Sequence, residues 1–515
     1  MNKLLLALLL FLLSFSWIKV TASDSCPAAF PWKAQWINTE RCQSATNTWL
    51  IYRKSFAVTD VPNQLIARIA ADSKYWLWIN DQLVIFEGGL KRGPSPSGTY
   101  YDPVDIAPYL TKGSNTIAIL LWHFGKDGFS HINSGKAALL FEAIAPGLEI
   151  VSDASWQCAL YEAYQNTDAP FPNYRMPESN IRFDARQAIT NWNRTSFEGS
   201  LPGAVCVGKA GKAPFGELVE RPIPQWKNSG LLSYVSVRES LKGDTLFCRL
   251  PYNAQITPYL KVEAEAGKTI HIRMDNYEGG SERNVRAEYI TREGEQEYES
   301  YGWMNGHEVY YIIPEGVKVL DVKFRETGYD TEFTGSFSCN DPFMNELWKR
   351  SARTLYITMR DSYMDCPDRE RAQWWGDEVN ELGEAFYALS PSGQKLAVKG
   401  IHELMNWQRE DGTLYSPVPA GNWDKELPLQ MLASIGWYGF YTQYYYSADS
   451  SFVPVIYDRM RRYLHEVWQV DKSGLVIERQ GAWSWGDWGE NRDKRLILAG
   501  WHYIALAAAA NMAEL

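Results

Sequence analysis

Cysteine and histidine are both scarce, seven of each in 515 residues, and that scarcity removes whole classes of protein at once. So few cysteines cannot staple a disulfide scaffold of this length. None stand as Cys-x-x-Cys or near histidines at ligand spacing, so no metal site is implied. His402-Glu403 opens like a zinc-protease motif, but Asn406 occupies the second histidine position. Neither a Gly-x-Ser-x-Gly elbow nor a Gly-x-x-x-x-Gly-Lys phosphate loop occurs, and no cofactor is implied. Positive charge is also short, with 51 Lys and Arg against 61 Asp and Glu, a net charge of −10. The basic residues are dispersed, so nothing neutralises phosphate, and neither nucleic acid nor an anionic membrane surface is expected as a partner.

Long apolar runs are missing after the first twenty residues. Met1-Asn2-Lys3, the run Leu4 to Ile18 and Val20-Thr21-Ala22 read as the charged region, apolar region and cleavage site of a signal peptide at 1–22. The run is shorter than the roughly 20 residues that spanning requires, so export to the periplasm or the exterior is expected, with no membrane span after cleavage. In that oxidising setting Cys26 with Cys42, and Cys158 with Cys206, are candidate bridges by their loop-rich surroundings, though the pairing stays open. Cys366 is the candidate buried thiol, packed under the turn at Pro367.

Aromatic residues, by contrast, are abundant at 14%, including 22 tryptophans, and this excess leans toward carbohydrate. The densest stretch is Asp365-Cys366-Pro367-Asp368-Arg369-Glu370-Arg371-Ala372-Gln373-Trp374-Trp375-Gly376-Asp377. Carboxylates and guanidinium forks fix several hydroxyls at set angles, and indole faces accept the C–H face of a sugar. A carboxyl partly buried among indoles can also keep its proton, as a general acid must. The competing reading is a solvated helix start, where acids merely complement the dipole.

At these residues the sequence resembles the α-L-rhamnosidases of glycoside hydrolase family 78, whose signature runs Asp-Cys-Pro-x-Arg, Glu-Arg, Trp and Gly-Asp. It is matched by Asp365, Cys366, Pro367, Arg369, Glu370, Arg371, Trp374 and Gly376-Asp377, although an extra Asp found after the Arg in many members is absent. The resemblance implies an inverting mechanism with Glu370 as general acid. Asp365, Arg369 and Asp377 would grip rhamnose hydroxyls and Trp374 would wall the pocket. Trp483-Ser484-Trp485-Gly486-Asp487-Trp488 resembles the family's Gly-Asp-Trp segment, adding Asp487 and Trp488 as sugar contacts, with Trp423 a weaker candidate. The general base is not assigned, because the family draws it from a later part of the barrel, expected beyond Leu515.

The rest of the chain fits a multidomain plan. Alternating apolar residues around Asn80-Asp81 predict a hairpin over Tyr75 to Ile85, and Gly113 to Trp122 a further strand. The resemblance makes 23–218 an N-terminal jelly-roll β domain, whose Trp76, Trp78 and Trp122 read as core first and as a sugar platform second. A β-sandwich is expected over 219–337, with strands at Tyr259 to Ala264 and Thr269 to Met274 and a hairpin loop at Asn305-Gly306-His307-Glu308. From Asp341-Pro342, an N-cap and a first helical residue, helical periodicity takes over. Six helices are expected, near 342–359, 378–389, 394–408, 427–446, 452–468 and 494–514. The resemblance makes 338–515 an (α/α)6 six-hairpin barrel of which about half is present, because the chain ends inside an amphipathic helix. The function expected is an exported exo-glycosidase removing terminal α-L-rhamnose from polysaccharides or glycosides. The alternatives are an inactive sugar-binding protein on the same scaffold, which a half-barrel favours, or a six-hairpin glycosidase for another sugar.

Overall fold

The computed structural model describes residues 31–42, 44–278, 282–479 and 490–515. The expected signal peptide and Cys26 lie outside them. Residues 34–515 form one compact unit.

Two sheets face each other in the first part of this unit. One has 7 strands, in the order 205–209, 35–38, 138–145, 66–72, 99–105 and 218–220, with 148–151 beside 138–145. The other has 5 strands, ordered 157–160, 48–58, 113–123, 74–79 and 82–88. Ile37, Leu50, Tyr52, Ile69, Tyr75, Leu77, Ile119, Leu121 and Phe141 fill the space between them. The intervening residues of the second sheet, Trp49, Trp76, Trp78, Leu120 and Trp122, form another core under the segment around 161–201. Both faces of that sheet are therefore covered, which is why Gly113–His123 reads as a continuous apolar run instead of an alternating one. The tryptophans are core: Trp49 stacks on Trp122 at 4.9 Å and on Trp76 at 5.8 Å. The hairpin at Asn80-Asp81 is present, with φ of 48° and 71° at its two central residues, as a type I′ turn requires.

A third sheet, of 10 strands, is organised around the long strand Thr245–Ala264. Ile181–Asp184 joins this sheet in parallel beside Ala287–Ile290, so strand pairing crosses from the first β region into the second. Thr269–Met274 and Thr245–Ala264 do not pair with each other; each pairs with Met304–Ile312. Asn305 to Glu308, expected as a hairpin loop, lies inside that strand. Gly306, at φ 156°, faces a bulge where the register on the neighbouring strand jumps from Arg249 to Ala254.

The helical part comes next in the chain. Helices α1 (Pro342–Ile357), α2 (Trp375–Ala388) and α3 (Ser392–Asn406) are regular. α4 (Pro428–Ile435) and α5 (Thr442–Ser447) run on through the π-helical Trp437–Tyr441, and α6 (Val453–Arg462) continues as π-helix to Val467 before α7 (Lys494–Met512). The six expected helical stretches are all present. Asp341 caps α1 by accepting from the Phe343 amide at 2.9 Å. Among the described residues no helix is long and apolar enough to cross a membrane.

Buried ion pairs join the helical part to the sheets. Lys74 meets Asp361 at 2.8 Å, Arg360 meets Glu87 at 2.6 Å, and Glu178 meets both Lys91 and Arg371 at 3.1 Å. Cys158 and Cys206 are free thiols, which corrects the bridge considered for them. Cys158 is buried in the sandwich core whereas Cys206 is exposed on another strand. Cys42 is free as well.

Candidate active site

The loop between α1 and α2 is closed by its own main chain. The Asp365 amide donates to Ala372 O at 3.0 Å, and the Arg371 amide to Cys366 O at 3.1 Å. Arg371 sits at φ 54°, left-handed for a residue with a side chain. Its guanidinium explains how that conformation is held: it donates to Pro367 O, Glu178 and Trp303 O and lies 3.4 Å from the Trp303 ring centroid. Asp368 also turns to the scaffold, accepting from Asn276 at 2.7 Å and Asn284 at 2.9 Å. Trp375 is fully buried, with its amide on Ser416 Oγ at 2.9 Å. The motif thus divides in two. Asp368, Arg371, Gln373 and Trp375 anchor it, and Asp365, Cys366, Arg369, Glu370, Trp374, Gly376 and Asp377 face a cleft.

That cleft holds about 670 Å³ and is lined by Asp365, Arg369, Glu370, Trp374, Asp377 and Trp423 together with Phe129, Tyr174, Arg175, Leu427 and Gln430. Glu370, one of the lining residues, is buried. Trp374 Nε1 donates to its Oε2 at 2.7 Å, while Arg369 Nε approaches Oε1 at 3.0 Å and Arg175 Nε at 3.6 Å. Asp365 accepts from the Ala372 amide at 3.2 Å and from Cys366 Sγ at 3.0 Å. Burial, followed by the charge of Glu370, pushes the Asp365 carboxyl up to about 7. Burial and the adjoining Asp365 push the Cys366 thiol up to about 12, so it is an inert donor. Asp377, in the first turn of α2, is raised by desolvation within the cleft and then by Glu370. Trp423 is fixed by its indole N–H on Ser416 O at 2.7 Å and meets Trp374 edge to face at 5.5 Å.

Six of the residues singled out from the sequence therefore line one cleft, while Asp487 and Trp488 lie outside the described residues. Phe129, Tyr174 and Arg175 were not anticipated. They come from β-region loops that dock on the loop before α4: the Gly421 amide reaches Gly128 O and His131 O, and Asn422 reaches Tyr174 O. The available signal was an aromatic and an arginine within the proline-rich polar run Ala169-Pro170-Phe171-Pro172-Asn173-Tyr174-Arg175.

Residues 332–515 match the family model of the bacterial alpha-L-rhamnosidase 6 hairpin glycosidase domain. This part of the chain is similar to that domain family. Solved structures agree on the fold of the whole. A GH78 family rhamnosidase of Bacillus sp. GL1 superposes with a TM-score of 0.78 at 18% identity, covering 94% of this chain and 76% of its own. The α-L-rhamnosidase from Dictyoglumus thermophilum gives 0.74 at 20% identity, covering 94% of this chain and 57% of its own. The enzyme from Aspergillus terreus gives 0.73 at 18% identity, with 94% and 59% covered. At these identities the likeness is one of fold: a sheet-rich N-terminal region followed by a helical region, as in the rhamnosidases. The chain spans under two thirds of the length of two of these three. No curated protein sequence matches it.

Proposed function

We propose that this chain is an exported, inverting exo-glycosidase that hydrolyses terminal α-L-rhamnose from polysaccharides or glycosides. The observation that carries the reading is Glu370, buried in the cleft, held by an indole N–H at 2.7 Å and flanked by Asp365 and Asp377 on the cleft wall. Glu370 is the general acid that protonates the glycosidic oxygen, and water attacks from the opposite face. Asp365, Arg369 and Asp377 hold the sugar's hydroxyls, and Trp374 and Trp423 give it an apolar wall. The domain match at 332–515 and the apolar run at the N-terminus support the assignment and the export.

The test is hydrolysis of a panel of nitrophenyl glycosides, with the anomer first released from the rhamnoside followed by NMR. Preferential release of L-rhamnose with inverted configuration is expected. Hydrolysis of a different glycoside in preference, or a retained anomer, would overturn the reading, and tight L-rhamnose binding without turnover would indicate a sugar-binding protein instead.

A further inference from the structure

A strip of aromatic side chains leads outward from Glu370. Trp374, whose indole holds Glu370, meets Trp423 at 5.5 Å, Trp423 meets Phe129 at 5.2 Å, and Phe129 meets Tyr174 at 6.1 Å. Phe129 is buried, whereas Tyr174 lines the cleft and is 65% exposed. Its exposure is not looseness. Tyr174 O accepts from Asn422 at 3.2 Å, and the next carbonyl, Arg175 O, accepts from the Phe129 amide at 2.7 Å. The Arg175 guanidinium lies 5.1 Å from the Tyr174 ring centroid and is tied to Glu282 at 3.0 Å. An aromatic ring fixed from behind and left facing water binds a flat partner with little further loss of conformational freedom.

We infer that Tyr174, supplied by the β region and backed by the buried Phe129, forms the leaving-group subsite of this cleft. The subsite takes an uncharged leaving group with a flat apolar face, either an aryl ring or the C–H face of a neutral pyranose. The inference rests on the reading of Glu370 as the residue that protonates the glycosidic oxygen, which puts rhamnose on one side of it and the departing group on the other. The pairing of the cleft's cations argues against an anionic leaving group. Three carboxyl groups line the cleft against two guanidiniums, and both guanidiniums are already paired with Glu370, one also with Glu282 and the other with Asp365. Among the described residues of the cleft, a carboxylate entering there therefore finds no guanidinium without a partner.

The test is titration calorimetry on the full chain with phenyl β-D-glucopyranoside, methyl β-D-glucopyranoside, phenyl β-D-glucuronide and L-rhamnose as probes. Tyr174→Ala is expected to weaken the phenyl glucoside roughly two- to tenfold. Tyr174→Phe keeps the affinity, and L-rhamnose moves by less than about twofold in either variant. The glucuronide binds more weakly than the glucoside. If the methyl glucoside weakens in parallel, the ring holds a sugar face; if it is spared, the ring holds the aryl group. Unchanged phenyl glucoside affinity in Tyr174→Ala, an equal loss for L-rhamnose, or a glucuronide as tight as the glucoside would overturn the inference. Failure of the chain to bind or release L-rhamnose would count against the rhamnosidase reading, while the phenyl glucoside comparison would still decide the subsite.

Discussion

Arg175 Nε lies 3.6 Å from Glu370 Oε1, the same oxygen that Arg369 Nε approaches at 3.0 Å, while Trp374 holds the other oxygen at 2.7 Å. The carboxyl is thus oriented by both the sheet-rich and the helical part of the chain. Glu370→Gln keeps the shape and removes the acid. Turnover should fall roughly 10²–10⁴-fold on rhamnosides with poor leaving groups. Nitrophenyl rhamnosides, which leave without protonation, should lose far less. Equal losses on both substrate types in a folded variant would remove Glu370 from the role.

Asp365 is the cleft carboxyl pushed up to about 7, first by burial and then by Glu370. A folded-state value above the unfolded one means that the native protein binds the proton more tightly, so the group costs stability as pH rises from about 4 to about 7. Asp365→Asn should therefore melt higher than the wild type at pH 8, with the gain vanishing near pH 4. The same variant should weaken L-rhamnose. Asp377→Ala should too, each by about 1.5–3 kcal/mol as judged by calorimetry. Unchanged affinity in both, with melting intact, would favour the helix-dipole reading of these acids.

Glu178 has the opposite sign. Burial alone would raise it, but Lys91 and Arg371 hold it down at about 2. Its stabilisation is present above the unfolded value and lost as pH falls from about 4 toward 2. Glu178→Ala leaves Arg371 and Lys91 buried without their shared partner and should cost roughly 3–5 kcal/mol in denaturant unfolding. A loss under about 1 kcal/mol would mean that water reaches the pair.

Gly421 passes so close to the β-region loop that an added Cβ would stand 2.3 Å from Asp127 Cγ. Gly421→Ala must push Asp127 aside, and with it the backbone that carries Phe129. A cost of about 1–3 kcal/mol is expected in thermal or denaturant melts. L-rhamnose affinity should drop as well, because Trp423 follows two residues later. Wild-type stability and affinity would show that the two loops separate freely.

Much of this was legible locally. The six helical stretches follow from periodicity and from Asp341-Pro342, and the hairpin from Asn80-Asp81, because each signal is complete within a few residues. Six cleft residues were legible for the same reason: five come from one loop and its helix start, and Trp423 from a short Gly-Asn-Trp turn. Asn305 to Glu308 misled because polar residues around a glycine describe a turn and a strand bulge equally well. The parallel pairing of Ile181–Asp184 with Ala287–Ile290 has no local signal, and neither has the arrival of Phe129, Tyr174 and Arg175 at the cleft. The division of the motif into Asp368 and Arg371 as anchors and Asp365 and Glu370 as cleft residues depends on partners in distant loops of the β region, Asn276, Asn284, Glu178 and Trp303.

The buried pairs Lys74 with Asp361, Arg360 with Glu87 and Arg371 with Glu178 have a consequence for anyone shuffling pieces of this protein. Cutting between the last sheet strand and α1 would leave Arg360, Asp361 and Arg371 on one fragment and their counter-ions on the other. The helical part is therefore not a portable cassette, and a chimaera that gives it a foreign β module must bring along the strands that carry Lys74 and Glu87 and the loop that carries Glu178.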